Sequence, residues 1–257
     1  MEVNILTYNT HGLPWSRDTK KEITAWIIQK QPHILCLQEV FTIKARHYYV
    51  KILANAGYTM IIPDDNDVTI LPSGLLTGFK SSAYILTSHT FCPYLSYHNV
   101  EAFANKGFHS LRLRSRQGKH LQIINTHTQS NTEVSWWFGN RIIDMIRKEQ
   151  FQQIIEFVHG IPYPVLICGD VNCPRSPHSD IRFLTPIHQN LVQKATFYST
   201  GEDLDHVGWI LSQYAPKGCE LCDVERFGPI MTNCEIFQLP YSDHAPVLFD
   251  IVVPHIR

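Results

Sequence analysis

No stretch of this 257-residue chain approaches the roughly 18 consecutive apolar residues that a membrane-spanning helix requires; the longest, such as Pro164 to Cys168, are strand-sized. A transmembrane segment is therefore not expected. The opening residues, Met1-Glu2-Val3-Asn4-Ile5-Leu6-Thr7-Tyr8, lack the basic region and apolar core of a secretory leader and read directly as a strand. The expected location is the cytoplasm or the periphery of a membrane, with export by a leaderless route left open. Excess charge is also lacking: 22 Lys and Arg stand against 23 Asp and Glu, for a net charge of −1. That balance excludes the broad basic field of a protein that grips nucleic acid mainly through its phosphates. At 18% charged and 44% hydrophobic, the chain is neither disordered nor a coiled coil and has ample material for a core. The seven cysteines are an odd number with no disulfide framework, and Cys36 and Cys168 sit in apolar runs as reduced core residues. Cys219 and Cys222 form one CxxC without a second pair at zinc spacing, so no structural zinc is expected. No repeat, low-complexity tract or linker divides the chain, and residues 1–257 read as one domain, expected to be a monomer.

Strand-like runs recur at Val3–Tyr8, Ile34–Gln38, Thr59–Ile62, Ala83–Thr87, Phe108–Leu113, His120–Thr126, Val165–Cys168, His206–Leu211 and Val247–Val253. Thr19-Lys20-Lys21-Glu22 has the form of a capping box opening a helix whose apolar face is Ile23, Trp26 and Ile27. A weaker helical pattern covers Ile43–Ala56 and stops at Gly57. A third runs from about Asn140 to Val158, with Ile143, Ile146, Ile154, Ile155 and Val158 on one stripe and Arg147, Lys148 and Glu149 assigned to the wet side. The Pro-rich segment Pro174–Pro186 reads as loop. This pattern predicts an α+β fold of packed sheets with outer helices.

Five strand ends carry polar residues that an apolar sheet does not need. Asn9 follows the first strand, Glu39 the second, and His127 ends Ile123-Ile124-Asn125-Thr126. Asp170 and Asn172 follow Leu166-Ile167-Cys168-Gly169, and Asp243-His244 precede the last strand. Each alone is an ordinary turn former or core histidine. Together they hold what metal-assisted phosphoester hydrolysis needs: hard oxygen ligands, a base for water, and groups for the charge developing on phosphorus.

Six segments in register, Tyr8-Asn9-Thr10-His11-Gly12, Gln38-Glu39-Val40, Thr126-His127, Gly169-Asp170-Val171-Asn172, Leu204-Asp205-His206-Val207 and Ser242-Asp243-His244-Ala245-Pro246-Val247, resemble the endonuclease/exonuclease/phosphatase superfamily. The resemblance spans nearly the whole chain. It implies a four-layer α/β sandwich, two mainly antiparallel sheets face to face with helices outside. It also implies Glu39 as the main Mg²⁺ ligand, or ligand of Mn²⁺ or another divalent cation, with Asn9 beside it. By the same resemblance His127 contacts the phosphoryl oxygens, and Asp170 and Asn172 orient the nucleophile or steady the transition state. Asp205 shapes the phosphate site, and either His244, with Asp243 near it, or Asp170 is the general base.

The substrate has to come from local motifs, because one fold serves many phosphoesters. Asn9-Thr10-His11-Gly12-Leu13-Pro14, Ala104-Asn105-Lys106-Gly107-Phe108 and Asn125-Thr126-His127-Thr128-Gln129-Ser130 most resemble the neutral and bacterial sphingomyelinases, although Phe108 replaces their usual small aliphatic residue. Inositol phosphatases share the Asn-Lys-Gly stretch, so Lys106, expected to bind substrate, does not separate the two. The alternation of Arg112, Arg114, Arg116 and Lys119 reads as a wet strand face. In Ser135-Trp136-Trp137-Phe138-Gly139 at least one aromatic must be exposed, and Trp136 and Trp137 are read either as lipid contacts near the site or as a staple before the third helix. The expected partner is a phospholipid substrate at a membrane surface. The alternatives are a nuclease acting on nucleic acid or an inositol-phosphate phosphatase of the same superfamily, or a catalytically silent membrane- or partner-binding module.

Overall fold

The computed structural model describes residues 2–65, 69–131, 139–162, 164–173, 205–209 and 230–252. Within these, one sheet has the order β10 (Ile230–Ile236), β11 (Val247–Val252), β1 (Glu2–Gly12), β2 (Ile34–Val40), β4 (Leu76–Lys80), β3 (Tyr58–Ile61). The other runs β5 (Tyr84–Pro93), β6 (Gly107–Ser115), β7 (His120–His127), β8 (Val165–Asp170), β9 (Asp205–Trp209). The β1–β2 and β7–β8 pairs are parallel and the remainder antiparallel, so each sheet is mixed around a central parallel pair.

The central strands are apolar on both faces because both faces are covered. Ile5, Cys36, Leu111, Ile123, Leu166 and Phe249 meet between the sheets and are fully buried. Leu6, Leu35 and Leu37 point the other way, onto Ile23 and Ile27 of α1 (Lys20–Lys30) and Leu53 of α2 (Ile43–Asn55). Phe108, Ile124 and Ile167 do the same toward Ile154 and Val158 of α3 (Gly139–Val158). Three apolar interfaces thus stack four layers, the sandwich implied by the sequence. Cys36 and Cys168 are free thiols that share a hydrogen bond across the central interface, where burial pushes the Cys168 thiol well up.

Four local readings need correction. β4 is a strand although it carries no apolar run in Leu76-Thr77-Gly78-Phe79-Lys80, where Gly78 leaves room for the Met60 side chain of the neighbouring strand. β10 was missed because Thr232 and Asn233 face solvent on an edge strand. Thr19 precedes α1 but forms no capping box: its hydroxyl donates to Tyr241 O at 2.8 Å. Arg147 is buried, not wet, because its spacing from Ile143 and Phe151 puts it on the packed face of α3. The helix expected over Ile43–Ala56 forms as α2 and is followed by Gly57 at φ +85°; the structure adds Thr42 as its cap, accepting from Ala45 N at 3.1 Å. Arg112 is half-buried and Arg114 exposed on β6. Trp136, Trp137, Pro174–Pro186, Cys219 and Cys222 lie outside the described residues.

Candidate active site

The two parallel pairs bring the C-terminal ends of β1, β2, β7 and β8 to one rim of the sandwich, and the sheets touch there across β1 and β8. Asn9, Glu39, His127 and Asp170 sit at those four ends. Local backbone strain aims them: His11, Glu39 and Asn172 hold φ values of 48°, 58° and 49°, which non-glycine residues adopt only where surrounding structure enforces it. Gly169 does the opposite job by having no side chain, since a Cβ there would stand 2.0 Å from Thr126 O and force β7 and β8 apart just before Asp170.

Asn9 bridges the two carboxylates, with Nδ2 donating to Glu39 Oε1 at 3.0 Å and to Asp170 Oδ2 at 2.9 Å, while its Oδ1 accepts from His11 N at 3.0 Å. His127 Nε2 lies 3.9 Å from Glu39 Oε1 and 3.7 Å from Asp170 Oδ2, and His244 Nε2 lies 3.5 Å from Asp170 Oδ2. Lys106 Nζ stands 3.2 Å from His127 Nε2 and donates to Thr128 O at 3.0 Å. Its charge is balanced by an ion pair with Glu101, which also accepts from Ser130 Oγ. Asn172 N donates to Asp170 Oδ1 at 2.9 Å, and its side-chain amide donates to Thr128 O at 3.1 Å. Asp243 stays at the rim, where it meets His11 Nδ1 at 3.0 Å. Ser242 ties this loop to β1 by donating to Asn9 O at 2.7 Å and accepting from His244 N at 3.1 Å.

Burial dominates the electrostatics. It raises the Glu39 carboxyl above its ordinary range, opposed by the Asn9 hydrogen bond and the charge of Lys106. It lowers His127 well below the ordinary histidine value, and Lys106 and His244 push it further the same way. His127 is therefore a neutral imidazole at physiological pH.

Ligand atoms of Glu39, His127 and Asp170 lie within 4.8 Å of one another, and Glu39 Oε2 and His127 Nδ1 are buried without a hydrogen-bond partner. Two desolvated carboxylates at this separation repel each other, and a small divalent cation relieves that repulsion. With two hard oxygen donors and an open side toward solvent, the set fits Mg²⁺ or Mn²⁺.

The structure thus gathers Asn9, Glu39, Lys106, His127, Asp170, Asn172 and His244, which are far apart in sequence. It keeps Asp243 one contact away. Asp205 is the first residue of β9, with its backbone opposite Asp170. Sequence reasoning missed Glu101, which carries no local signal, and Ser242, hidden inside a quoted segment. It also missed the role of Arg147, whose Nη1 donates to Asn172 O at 2.6 Å and Asn131 Oδ1 at 2.8 Å, clamping the loops after β7 and β8. Its helical spacing was the available signal. Beneath the site, Gln38 Nε2 donates to Asn125 Oδ1 at 2.7 Å, locking β2 to β7 across the sheets.

The family model of the Endonuclease/Exonuclease/phosphatase family matches residues 6–244, and the chain belongs to that family. That family's hydrolase fold is the fold of a phosphoesterase. Among solved structures, a magnesium-bound double mutant of beta toxin from Staphylococcus aureus is 18% identical, with TM-score 0.73, covering 97% of this chain and 99% of that one. Sphingomyelinase C from Streptomyces griseocarneus is 16% identical, with TM-score 0.72 and coverage of 97% and 99%. A humanized D. rerio TDP2 is 14% identical, with TM-score 0.73 and coverage of 98% and 99%. No curated protein sequence matches this chain.

Proposed function

We propose that residues 1–257 form one catalytic domain, a divalent-metal-dependent phosphodiesterase that cleaves a phospholipid headgroup, releasing phosphocholine and ceramide from sphingomyelin. What supports the substrate is the sphingomyelinase-like segment Asn125-Thr126-His127-Thr128-Gln129-Ser130, whose His127 enters the cluster 3.7 Å from Asp170 Oδ2, with Lys106 3.2 Å from the same imidazole. The fold likeness to a sphingomyelinase C agrees with it.

Glu39 and Asp170, bridged by Asn9, hold the cation, and Mg²⁺ when bound polarises a phosphoryl oxygen and offsets the charge developing on it. His244 Nε2 accepts the proton of the attacking water, and the Asp170 carboxylate, its Oδ2 3.5 Å from that nitrogen, stabilises the imidazolium once it forms. Neutral His127 and cationic Lys106 contact the phosphoryl oxygens, with Glu101 fixing the lysine in place. Asn172 steadies the transition state, Asp205 shapes the phosphate site, and Asp243 acts through His11. Trp136 and Trp137 are assigned to lipid contact on their sequence alone.

The deciding assay is phosphocholine release from sphingomyelin vesicles with Mg²⁺, beside an EDTA control and the His244→Ala protein. Release that needs both metal and His244 is the expected result. A folded protein that releases nothing but nicks plasmid DNA under the same metal conditions would move the reading to the nuclease branch.

A further inference from the structure

Among the described residues most of the exposed large apolar side chains lie at one end of the sandwich, with Met145 (62%) and Ile142 (44%) on α3 and Ile85 (36%) on β5 outside that group. Trp15 (76% exposed) lies in the β1–α1 connection, Ile43 (68%) opens α2, and Ile70 (76%) lies between β3 and β4. Leu95 (83%), Val100 (58%) and Phe103 (52%) lie between β5 and β6. The pairings Leu37↔Leu76 and Phe108↔Thr126 put all of these connections at the rim that carries Glu39 and Asp170. At the opposite end, the connections at 31–33, 56–57, 81–83 and 116–119 expose no large apolar side chain among the described residues. A scattered exposed leucine needs no explanation, but segregation of this kind around an active site does.

The segments are firmly held and adjoin one another. Arg46 of α2 makes a buried bidentate pair with Asp65 at 2.8 and 2.6 Å, which fixes the β3–β4 connection. That connection meets the next through Leu71 N donating to Phe103 O at 2.8 Å and Asn105 N donating to Leu71 O at 3.0 Å. The rim also carries charge. A cavity of about 410 Å³ between the β1–α1 connection and the start of α2 is lined by Arg17, Lys20 and Lys44 with a single acid, Asp18. Lys20 pairs with Asp18, which leaves Arg17 and Lys44 as the excess positive charge beside Trp15 and Ile43.

We propose that this rim is a docking face for a bilayer surface containing anionic lipid: the apolar side chains enter the interfacial region, and Arg17 and Lys44 sit against lipid phosphates. The inference rests on the phospholipid reading of the site. Docking would bring the metal centre to the headgroup layer without requiring the lipid to leave the membrane.

The test is sedimentation of the full chain with phosphatidylcholine–sphingomyelin vesicles, with and without phosphatidylserine. It is run beside turnover of soluble bis(4-nitrophenyl) phosphate with Mg²⁺. Trp15→Ala/Ile43→Ser and, separately, Ile70→Ser/Phe103→Ser should each weaken vesicle binding about tenfold while soluble turnover is unchanged. Arg17→Gln/Lys44→Gln should abolish the preference for phosphatidylserine, and Ile85→Ser, on β5 away from the rim, should change nothing. Wild-type vesicle affinity in both apolar variants, or a wild type that turns over the soluble diester without binding vesicles, would overturn the docking face. Normal docking with no sphingomyelin turnover would instead overturn the substrate reading and leave the docking face in place.

Discussion

Removing the charge of Glu39 should stabilise the metal-free protein while destroying its response to metal. The carboxylates of Glu39 and Asp170 lie within 4.8 Å of each other, and at an effective dielectric of about 20 two unit charges at that distance repel by about 3.5 kcal/mol. Asn9 donates to both, and Lys106, His11 and His244 supply opposing charge, so about 2 kcal/mol of net penalty is a fair share for Glu39. Glu39→Gln keeps the Oε1 that accepts from Asn9 and removes the charge. In EDTA at pH 7.5 its melting temperature should exceed that of the wild type by about 4–8 °C for a chain of this size. The sign with pH follows from the raised carboxyl. A carboxyl whose folded pKa lies above its unfolded value contributes stability below the unfolded value, about 4.3, and that contribution is lost as pH rises through the folded value. The advantage of the variant should therefore be full at pH 7.5 and vanish near pH 4. Titrating MgCl₂ should raise the wild-type melting temperature as ligand linkage requires and leave the variant flat. Differential scanning calorimetry decides it: a variant that melts at or below the wild type in EDTA at pH 7.5 refutes the reasoning.

Arg147→Met should destabilise the fold by about 2 kcal/mol, because it orphans the buried Asn172 O and removes the ion pair with Asp144, and it should lower kcat more than it raises KM; urea melts and steady-state kinetics check this. Gly169→Ala should cost at least as much, since its Cβ would sit 2.0 Å from Thr126 O at φ +143°, and a variant with wild-type stability and activity would show that β7 and β8 can separate harmlessly. Burial, reinforced by His89, pushes His109 down to about 3. The unfolded chain takes up that proton near pH 6.5 and the native state does not, so as much as about 5 kcal/mol of stability should be lost as pH falls from 6.5 toward 3. His109→Gln should flatten that part of the pH–stability curve, as followed by denaturant titration at each pH.

The layers were legible because burial on both faces writes itself as continuous apolar runs, and nine of these runs are strands in the structure. What blurred the reading was local. β4 carries a glycine and two polar residues yet lies inside the sheet, hydrogen-bonded to β2 on one edge and β3 on the other, and β10 is polar because it is an edge. Arg147 looked wet because charge is usually a surface property, whereas here the carboxylate of Asp144, the carbonyl of Asn172 and the amide oxygen of Asn131 supply the partners that let it be buried. The site residues were legible as polar groups at strand ends, and the structure brings Asn9, Glu39, His127 and Asp170 from those ends into one cluster.

By itself the sequence determined the chemistry available: which strand ends carry carboxylates, histidines and amides, and the apolar periodicities that make sheets and helices. Only the tertiary structure decided which groups meet. Distances such as 2.9 Å from Asn9 to Asp170 span 161 residues of chain and depend on the register of β1, β2, β7 and β8 across two sheets. Burial and charge proximity are likewise products of packing, so the raised Glu39, the lowered His127 and the Glu101 partner of Lys106 have no counterpart in local sequence. The same holds for the segregation of Trp15, Ile43 and Ile70 to the catalytic rim, which only chain topology can produce.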